Sequence, residues 1–162
     1  MKLVIVASSK LSPSPELVAK VASLIASLPK GSEVTVRGTE NGLMYGPTSP
    51  LERAAIILAD GMGLRNGCKF PKTGPSRDTV FARDWSLVDN ADRVVGFFME
   101  DDPMGGGAGH VIYAAFQKGV QCEAWVETRD GLVNVGSYDE DCRPLTSDAW
   151  NEWNNATAYS WI

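Results

Sequence analysis

Apolar, β-branched segments alternate with segments of helical periodicity, and this alternation most constrains the fold of the chain. The segments from Leu3 to Ala7 and from Arg93 to Phe98 have the apolar character of strands that are buried on both faces. Helical patterns begin at Pro15 and at Pro50, because proline suits the first turn of a helix. Strands and helices that alternate in units of roughly 30 residues predict an α/β fold, a single Rossmann-like domain with a mostly parallel sheet and helices on both faces.

The remaining elements follow from the same patterns. The first two helices are expected to end near Leu28 and at Gly61 or Gly63, and the segment from Leu64 to Ser76 is expected to be a loop with a short strand near Cys68. Further strands are predicted at 34–36 and 121–127, further helices at 77–90 and 111–118, and an antiparallel edge strand at 132–135. We therefore divide the chain into a nucleotide-binding core, 1–128, and an extension of the same domain, 129–162.

Composition and charge narrow the classes of partner. The chain has 162 residues, a size typical of one domain, and a net charge of −5, which gives no electrostatic support for binding a nucleic-acid backbone or a membrane surface. Its three cysteines are widely spaced and odd in number, which favours a reducing, cytoplasmic environment over a disulfide framework. The apolar start of the chain is too short for a signal peptide or a membrane span.

Two glycine-rich segments follow predicted strands. The first runs from Arg37 to Gly46 and the second from Met104 to His110. Glycine lets a backbone approach a ligand closely, and the start of a helix directs unpaired N–H groups at it. Because ligands of such folds bind at the carboxyl ends of the strands, we expect amide groups of both segments to converge on one phosphate.

These segments also resemble the motifs of the SLOG superfamily, Rossmann-like nucleotide-binding proteins that include the Lonely Guy phosphoribohydrolases and the YspA-like and DprA-like proteins. Residues 37–44, RGTENGLM, are similar to the first glycine-rich motif, and residues 106–110, GGAGH, to the phosphate-binding GGxGT motif. Residues 83–92, RDWSLVDNAD, are similar to the family's R-[KN]-x-x-M…A-D segment, and Ser8 to Lys10 fits its entry turn. The resemblance spans about Leu3 to Val126 and implies a nucleotide ligand and a homodimer.

The chain departs from the Lonely Guy pattern at two positions. In the GGxGTxxE motif the final glutamate serves N-glycosidic cleavage, and here that position is Tyr113, while the threonine position is His110. Arg83 is kept, so the resemblance implies ligand contact more readily than hydrolysis. Of the branches named above, the YspA-like proteins are the ones that this chain resembles most.

The ligand-binding residues that we predict share a position at strand ends or in the glycine-rich segments. They are Ser8, Ser9, Gly38, Thr39, Gly42, Arg83, Gly106, Gly107, Ala108, Gly109 and His110. Several of them have a structural alternative: a tight turn with positive φ for Gly38 and Gly42, a surface pair with Asp84 or Asp89 for Arg83, and a helix cap for His110. Arg37 has an acidic partner as its alternative to a ligand.

Catalytic residues are less determined than binding residues. The candidates are Glu40, Asp84 and His110, and we expect a neutral imidazole at His110 because the start of a helix disfavours its charged form. Asp89 and Asp92 are further carboxylates for glycosidic chemistry. No metal-ligand spacing is present, although the acidic residues 100–102 offer carboxylates to Mg²⁺ beside a substrate phosphate.

Three functions compete at this stage. The first is binding of a nucleotide or nucleotide-derived ligand. The second is an N-glycosidic hydrolase or transferase, which needs a carboxylate near the anomeric carbon to stabilise an oxocarbenium-like state. The third is a protein-interaction module that uses the Trp-rich tail, with Trp150, Trp153, Tyr159 and Trp161.

Overall fold

The computed structural model describes residues 1–41, 44–72, 77–101 and 106–137. Its seven strands are β1 (Lys2–Ala7), β2 (Glu33–Asn41), β3 (Met44–Pro47), β4 (Arg65–Lys69), β5 (Arg93–Met99), β6 (Gln121–Thr128) and β7 (Gly131–Ser137). Its four helices are α1 (Pro15–Ala26), α2 (Pro50–Gly61), α3 (Arg77–Val88) and α4 (Gly106–Gln117). Among these described helices, none has the length and apolarity that a membrane span requires.

The strands form one mixed, mostly parallel sheet. From β2 the order continues through β1, β5 and β6 to β7, while β4 pairs with the first half of β2 and β3 with its second half. The pairs among β4, β2, β1, β5 and β6 are parallel, and β3 and β7 are antiparallel. The predicted α/β, Rossmann-like architecture is confirmed. Strand order reverses between β1 and β5, which is the topological switch point where such folds bind ligands.

Helices cover both faces of the sheet, as the side chains of β1 illustrate. Leu3 and Ile5 belong to a core cluster with α1 and α2, whereas Val4 and Val6 belong to a second cluster with α3 and α4. All four side chains are fully buried. This explains why β1 is apolar at every position from Leu3 to Ala7 rather than at alternate ones.

Helix starts follow the sequence signals closely. Ser14 caps α1 and Ser49 caps α2, each accepting a hydrogen bond from a backbone N–H in the first turn, and proline occupies the next position in both helices. α3 ends at Val88, two residues before the predicted end, and Asn90 then adopts a left-handed φ of 63°.

Both glycine-rich segments differ from the predicted turns. The chain from Arg37 to Asn41 is not a turn, because it continues β2 as the first strand of a hairpin with β3. Pairing of Arg37 with Lys69 and of Gly38 with Pro47 provides the ladder that extends it. The second segment is helical from Gly106, five residues before the predicted start.

The rest of the chain differs less. β4 occupies Arg65–Lys69 within the predicted loop, and β7 is the antiparallel edge strand that the sequence predicts. Residues 129–137 pair with β6 through β7, so the described part of the extension belongs to the same sheet. Residues 138–162, with the Trp-rich tail, lie outside the described residues.

Candidate functional site

Arg37 lies at the centre of a buried charged cluster at the carboxyl end of β1, where β2 changes its partner from β4 to β3. The residue is 3% exposed, and its side chain makes a two-pronged contact with Glu52 of α2, at 2.9 Å from Nε to Oε1 and 2.8 Å from Nη2 to Oε2. Nη2 also donates to the carbonyl oxygen of Ala7, the last residue of β1, at 2.6 Å. The guanidinium therefore ties α2 to the ends of two neighbouring strands.

A second arginine, Arg83 of α3, extends the cluster. Its Nε donates to Asp84 Oδ1 at 2.6 Å, and its Nη1 donates to the carbonyl oxygen of Gly38 at 2.7 Å. The other Asp84 oxygen, Oδ2, lies 2.9 Å from His110 Nδ1 in α4. Asp84 is fully buried. Its contact with His110 links α3 to α4, and the hydrogen bond from Arg83 to Gly38 links α3 to β2.

His110 is held by aromatic side chains as well as by Asp84. Its ring stacks on Phe81 with centroids 4.2 Å apart, and Trp85 and Tyr113 lie at 6.2 and 6.3 Å. Only 2% of the residue is exposed. These contacts fix the imidazole in orientation and exclude water from it.

Opposite charges stabilise one another in this cluster. Burial alone would lower the pKa of the Arg37 guanidinium, but the Glu52 carboxylate, its hydrogen bonds and the nearby Asp84 raise the pKa above its ordinary value. The formal charges of Arg37 and Arg83 cancel those of Glu52 and Asp84. Removing one member would leave an unbalanced charge in a region that excludes water.

The first turn of α4 lies directly against Arg37. A Cβ atom at Gly107 would lie only 2.9 Å from Arg37 Nη1, so the guanidinium can occupy this position because Gly107 has no side chain. Gly106, the first residue of the helix, has a φ of 67°, which glycine adopts without strain. Among the residues that the structure describes, no hydrogen bond from Nη1 is present. A cationic donor and the positive end of a helix thus face one another.

Two cavities of similar size but opposite charge lie beside the carboxyl ends of the strands. The first, about 520 Å³, lies at the switch point, and its charged lining residues are Lys10, Glu100, Asp101 and Glu127. The second, about 480 Å³, lies between the end of β4 and α3. It is lined by Lys69, Phe70, Lys72, Thr79, Ala82, Arg83 and Ser86. The described part of this lining carries three cations and no carboxylate, so we call it the basic cavity.

The sequence offers the acidic residues 100–102, beside the switch point, as carboxylate ligands for Mg²⁺. Glu100 and Asp101 do line the first cavity, whereas Asp102 lies outside the described residues. Within the described part of the chain, no group of three or more His, Cys, Asp or Glu side chains is arranged to hold a metal ion.

The structure brings part of the predicted site together. Gly38, Arg83, Asp84, Gly107 and His110 all belong to the charged cluster or contact it. From the sequence we expect backbone amides of both glycine-rich segments to converge on one phosphate. In the described residues, the first segment instead contributes the side chain of Arg37. The second segment contributes the helical turn beside it.

Other predicted residues have structural contacts of their own. The amide of Ser8 donates to the Phe97 carbonyl oxygen at 2.9 Å, and the Thr39 hydroxyl lies 2.7 Å from that of Thr48. Ser9 is exposed in the turn after β1. Ala108 is part of the apolar core and Gly109 is buried beside it. Gly42 and the side chain of Glu40 lie outside the described residues.

The structure also tests the structural alternatives named above for Gly38, Arg83 and His110. Gly38 lies in a strand rather than in a tight turn, and Phe70 occupies the space where its Cβ would be. Arg83 pairs with Asp84 as proposed, but the pair is buried rather than on the surface. His110 is the fifth residue of α4 and not its cap, because the helix begins at Gly106.

Two of the further carboxylates lie at the wrong edge for glycosidic chemistry. Asp92 precedes β5 and accepts a hydrogen bond from the amide of Lys2, the first residue of β1, so it marks the amino end of the parallel strands. Asp89 follows α3 and pairs with Lys118. Neither reaches the strand carboxyl edge.

Four residues of the site were missed from the sequence: Glu52, Lys69, Phe70 and Lys72. Ser49 and Glu52 match the S-x-x-E pattern of a capping box, which gives Glu52 a surface role at a helix start. Here its amide is capped by Ser49 while its carboxylate binds Arg37. The two lysines and Phe70 fall in a segment read as a loop, where no periodicity indicates which way a side chain faces.

Comparison of the chain with protein-family models and with curated proteins finds no match. The resemblance to the SLOG superfamily therefore stays a prediction from the motifs. What can be said of the site depends on its own geometry.

Proposed function

We propose that this protein binds a nucleotide or nucleotide-derived ligand at the carboxyl edge of its sheet, with a phosphate at the first turn of α4 beside Arg37. The observation that carries the proposal is the approach of the buried Arg37 guanidinium to Gly107. Both the guanidinium and the start of the helix favour an anion, and a phosphate accepts hydrogen bonds from both.

The chemistry of the cluster supports a phosphate in preference to an uncharged group. Glu52 and Ala7 occupy Nε and Nη2 of Arg37, which leaves Nη1 on the side of α4. The first N–H groups of a helix have no intrahelical partner, so an anion there completes their hydrogen bonding. The absence of a side chain at Gly107 allows the guanidinium and the start of the helix to lie side by side.

The nucleotide part of the proposal rests on the fold and on the motifs. Parallel sheets with this strand order bind ligands at the carboxyl ends of their strands. The SLOG-like motifs imply that this ligand is a nucleotide.

Cleavage of an N-glycosidic bond is the alternative that the sequence leaves open. Asp84 is a poor candidate for its carboxylate, because both oxygens are engaged, one by Arg83 and one by His110, and none of the residue is exposed. Glu40 stays a candidate by sequence alone. The protein-interaction alternative stays a prediction, because the Trp-rich tail lies outside the described residues. The homodimer, which the SLOG resemblance implies, stays a prediction as well.

A thermal-shift panel tests the proposal. The four nucleoside monophosphates, their diphosphates and cyclic AMP are each added at millimolar concentration, and liquid chromatography then checks every stabilising compound for turnover. Ligands that bind only the folded state raise the melting temperature. We expect at least one nucleotide to do so, without conversion. Conversion to a free base would support the glycosidase, and no stabilisation by any nucleotide would refute the proposal.

Variants at two glycines locate the phosphate. Gly107→Ala places a methyl group against Arg37 Nη1 and is expected to abolish the nucleotide-induced shift. Gly61→Ala is the control, because Gly61 is also helical and a Cβ there meets no atom of the described residues within 4 Å. An undiminished shift in Gly107→Ala would place the phosphate elsewhere.

A further inference from the structure

The two cavities at the strand carboxyl edge differ in charge, and an anionic group therefore favours one cavity over the other. Among the described residues that line the switch-point cavity, three carboxylates accompany one amine, Lys10. The described lining of the basic cavity contains Lys69, Lys72 and Arg83 and no acidic residue. An anionic group is repelled from the first cavity and attracted to the second, and the effect is strongest where water is excluded.

Arg83 gives the basic cavity a fixed cationic wall. It is 6% exposed and is positioned by Asp84 on Nε and by the Gly38 carbonyl oxygen on Nη1. Among the described residues no hydrogen bond from its Nη2 is present, so this donor has no protein partner in that part of the chain. Arg83 therefore combines a rigid position with remaining capacity for an anion.

The basic cavity also adjoins the proposed phosphate position. Arg37, which faces the first turn of α4, and Gly38, whose carbonyl oxygen binds Arg83, are consecutive in β2. Arg83 and Arg37 also share Asp84, which accepts a hydrogen bond from Arg83 and interacts electrostatically with Arg37. The basic cavity and the proposed phosphate position therefore border the same charged cluster.

We propose that the basic cavity binds a second anionic group of the same ligand, through Lys69, Lys72 and Arg83. The inference rests on the proposed function and narrows its ligand class to nucleotides with at least two phosphate groups. A monophosphate satisfies Arg37 and the start of α4 alone. A diphosphate additionally places charge among the cavity cations.

Calorimetric titration of the full chain with AMP and ADP, at fixed ionic strength, tests this inference. We expect ADP to bind about tenfold more tightly than AMP, because two exposed lysines and a positioned arginine face the additional phosphate. In the double variant Lys69→Gln/Lys72→Gln, ADP affinity is expected to fall about tenfold while AMP affinity is unchanged. Both lysines are exposed, so the fold should persist, and circular dichroism checks this.

A matched variant controls for net charge. Lys10→Gln/Lys30→Gln removes the same two charges from exposed positions outside the basic cavity, Lys10 being in the acidic one. ADP affinity should stay within about twofold of the wild-type value. An equal loss in both double variants would overturn the inference, because it would show general charge attraction or binding at the switch point.

The remaining outcomes separate the two proposals. If AMP binds, is weakened by Gly107→Ala, and ADP binds no more tightly, then the cavity inference is wrong and the proposed function survives. If neither nucleotide binds the wild-type chain, both are wrong. If ADP binds more tightly than AMP but Lys69→Gln/Lys72→Gln leaves that difference intact, the second phosphate lies outside the basic cavity.

Discussion

At the scale of single residues, the site depends on charges that balance one another away from water. Arg37 and Glu52 are 3% and 0% exposed, and their contact has the two-pronged geometry that guanidinium and carboxylate groups favour. A buried ion pair contributes little net stability over an apolar pair, but breaking it leaves one charge without a partner. The Arg37–Glu52 pair is thus better explained by positioning the guanidinium than by stabilising the fold.

This explanation predicts unequal effects of single and double substitutions. Glu52→Leu leaves the Arg37 charge buried and is expected to lower the free energy of unfolding by about 3–5 kcal/mol. The double variant Arg37→Met/Glu52→Leu removes both charges and is expected to recover at least about 1 kcal/mol of that loss. Urea unfolding measures both. A double variant that is less stable than Glu52→Leu would contradict the explanation.

Cys68 provides a pH-dependent test at the same scale. Burial raises the pKa of its thiol, Glu52 adds to the rise, and Arg53 opposes it. Because a raised pKa favours the neutral thiol in the folded state, alkylation should reach half its maximal rate above the ordinary thiol pKa of about 8.5. Peptide mapping after iodoacetamide treatment across pH 7–10 measures this for Cys68.

The urea-unfolded chain is the control for this measurement, since its Cys68 should follow the ordinary value. The shift also affects stability in a defined direction. Its contribution is fully present below the pKa of the unfolded thiol and is lost as pH rises through the folded-state pKa. Equal alkylation profiles in the folded and unfolded chains would contradict the shift.

At the scale of elements, β2 shows why the first glycine-rich segment is a strand. β2 pairs with β4 as far as Arg37 and with β3 from Gly38, so its ladder does not end where its apolar run does. Gly38 has its place in this strand because the Phe70 ring lies over it. The ring atoms would be 2.7–2.9 Å from a Cβ atom. Glycine serves close packing here.

Substitution of Gly38 tests that interpretation. Gly38→Ala would force the Phe70 ring to move and is expected to destabilise the fold by about 1–3 kcal/mol. Gly67→Ala in β4 is the matched control, because in the described part of the chain a Cβ there meets nothing within 4 Å, and alanine suits a strand better than glycine. Thermal unfolding of the two variants compares them. If both behaved alike, Phe70 would not be packed on Gly38.

The capping of α2 gives a second test at this scale. Ser49 accepts a hydrogen bond from the Glu52 amide at 3.1 Å and is 2% exposed, so Ser49→Ala should cost about 1 kcal/mol. Ser23→Ala, at an exposed position within α1, is expected to change stability by less than about 0.5 kcal/mol. Urea unfolding separates the two, and equal effects would argue against the cap.

At the scale of the whole molecule, the architecture was predictable because most of its signals are local. The apolar runs of β1 and β5 and the prolines that open α1 and α2 each follow from a few neighbouring residues. The charged cluster was not predictable as an assembly, because Arg37, Asp84 and His110 come together only through tertiary packing. Motif order indicated Arg83 and Gly107, but nothing local indicated the partners of Arg37.

The charge distribution over the whole molecule has a similar origin. The lining of the basic cavity comes from β4, α3 and the chain just after β4, and that of the acidic cavity from the ends of β5 and β6 and the turn after β1. A net charge of −5 gave no hint of a local basic surface. Function at this edge depends on where charges lie in space and not on their sum.

The most direct test of the central claim is a titration of the ¹⁵N-labelled protein with AMP, followed by amide and guanidinium signals in two-dimensional NMR. If the phosphate binds at the first turn of α4 beside Arg37, the largest shifts will be those of the Gly107 and Ala108 amides and the Arg37 Nε–H group, while Gly61 and Gly67 stay unchanged. Binding of AMP with shifts confined to the residues around Lys10 and Glu100, and none at Gly107 or Arg37, would contradict the account.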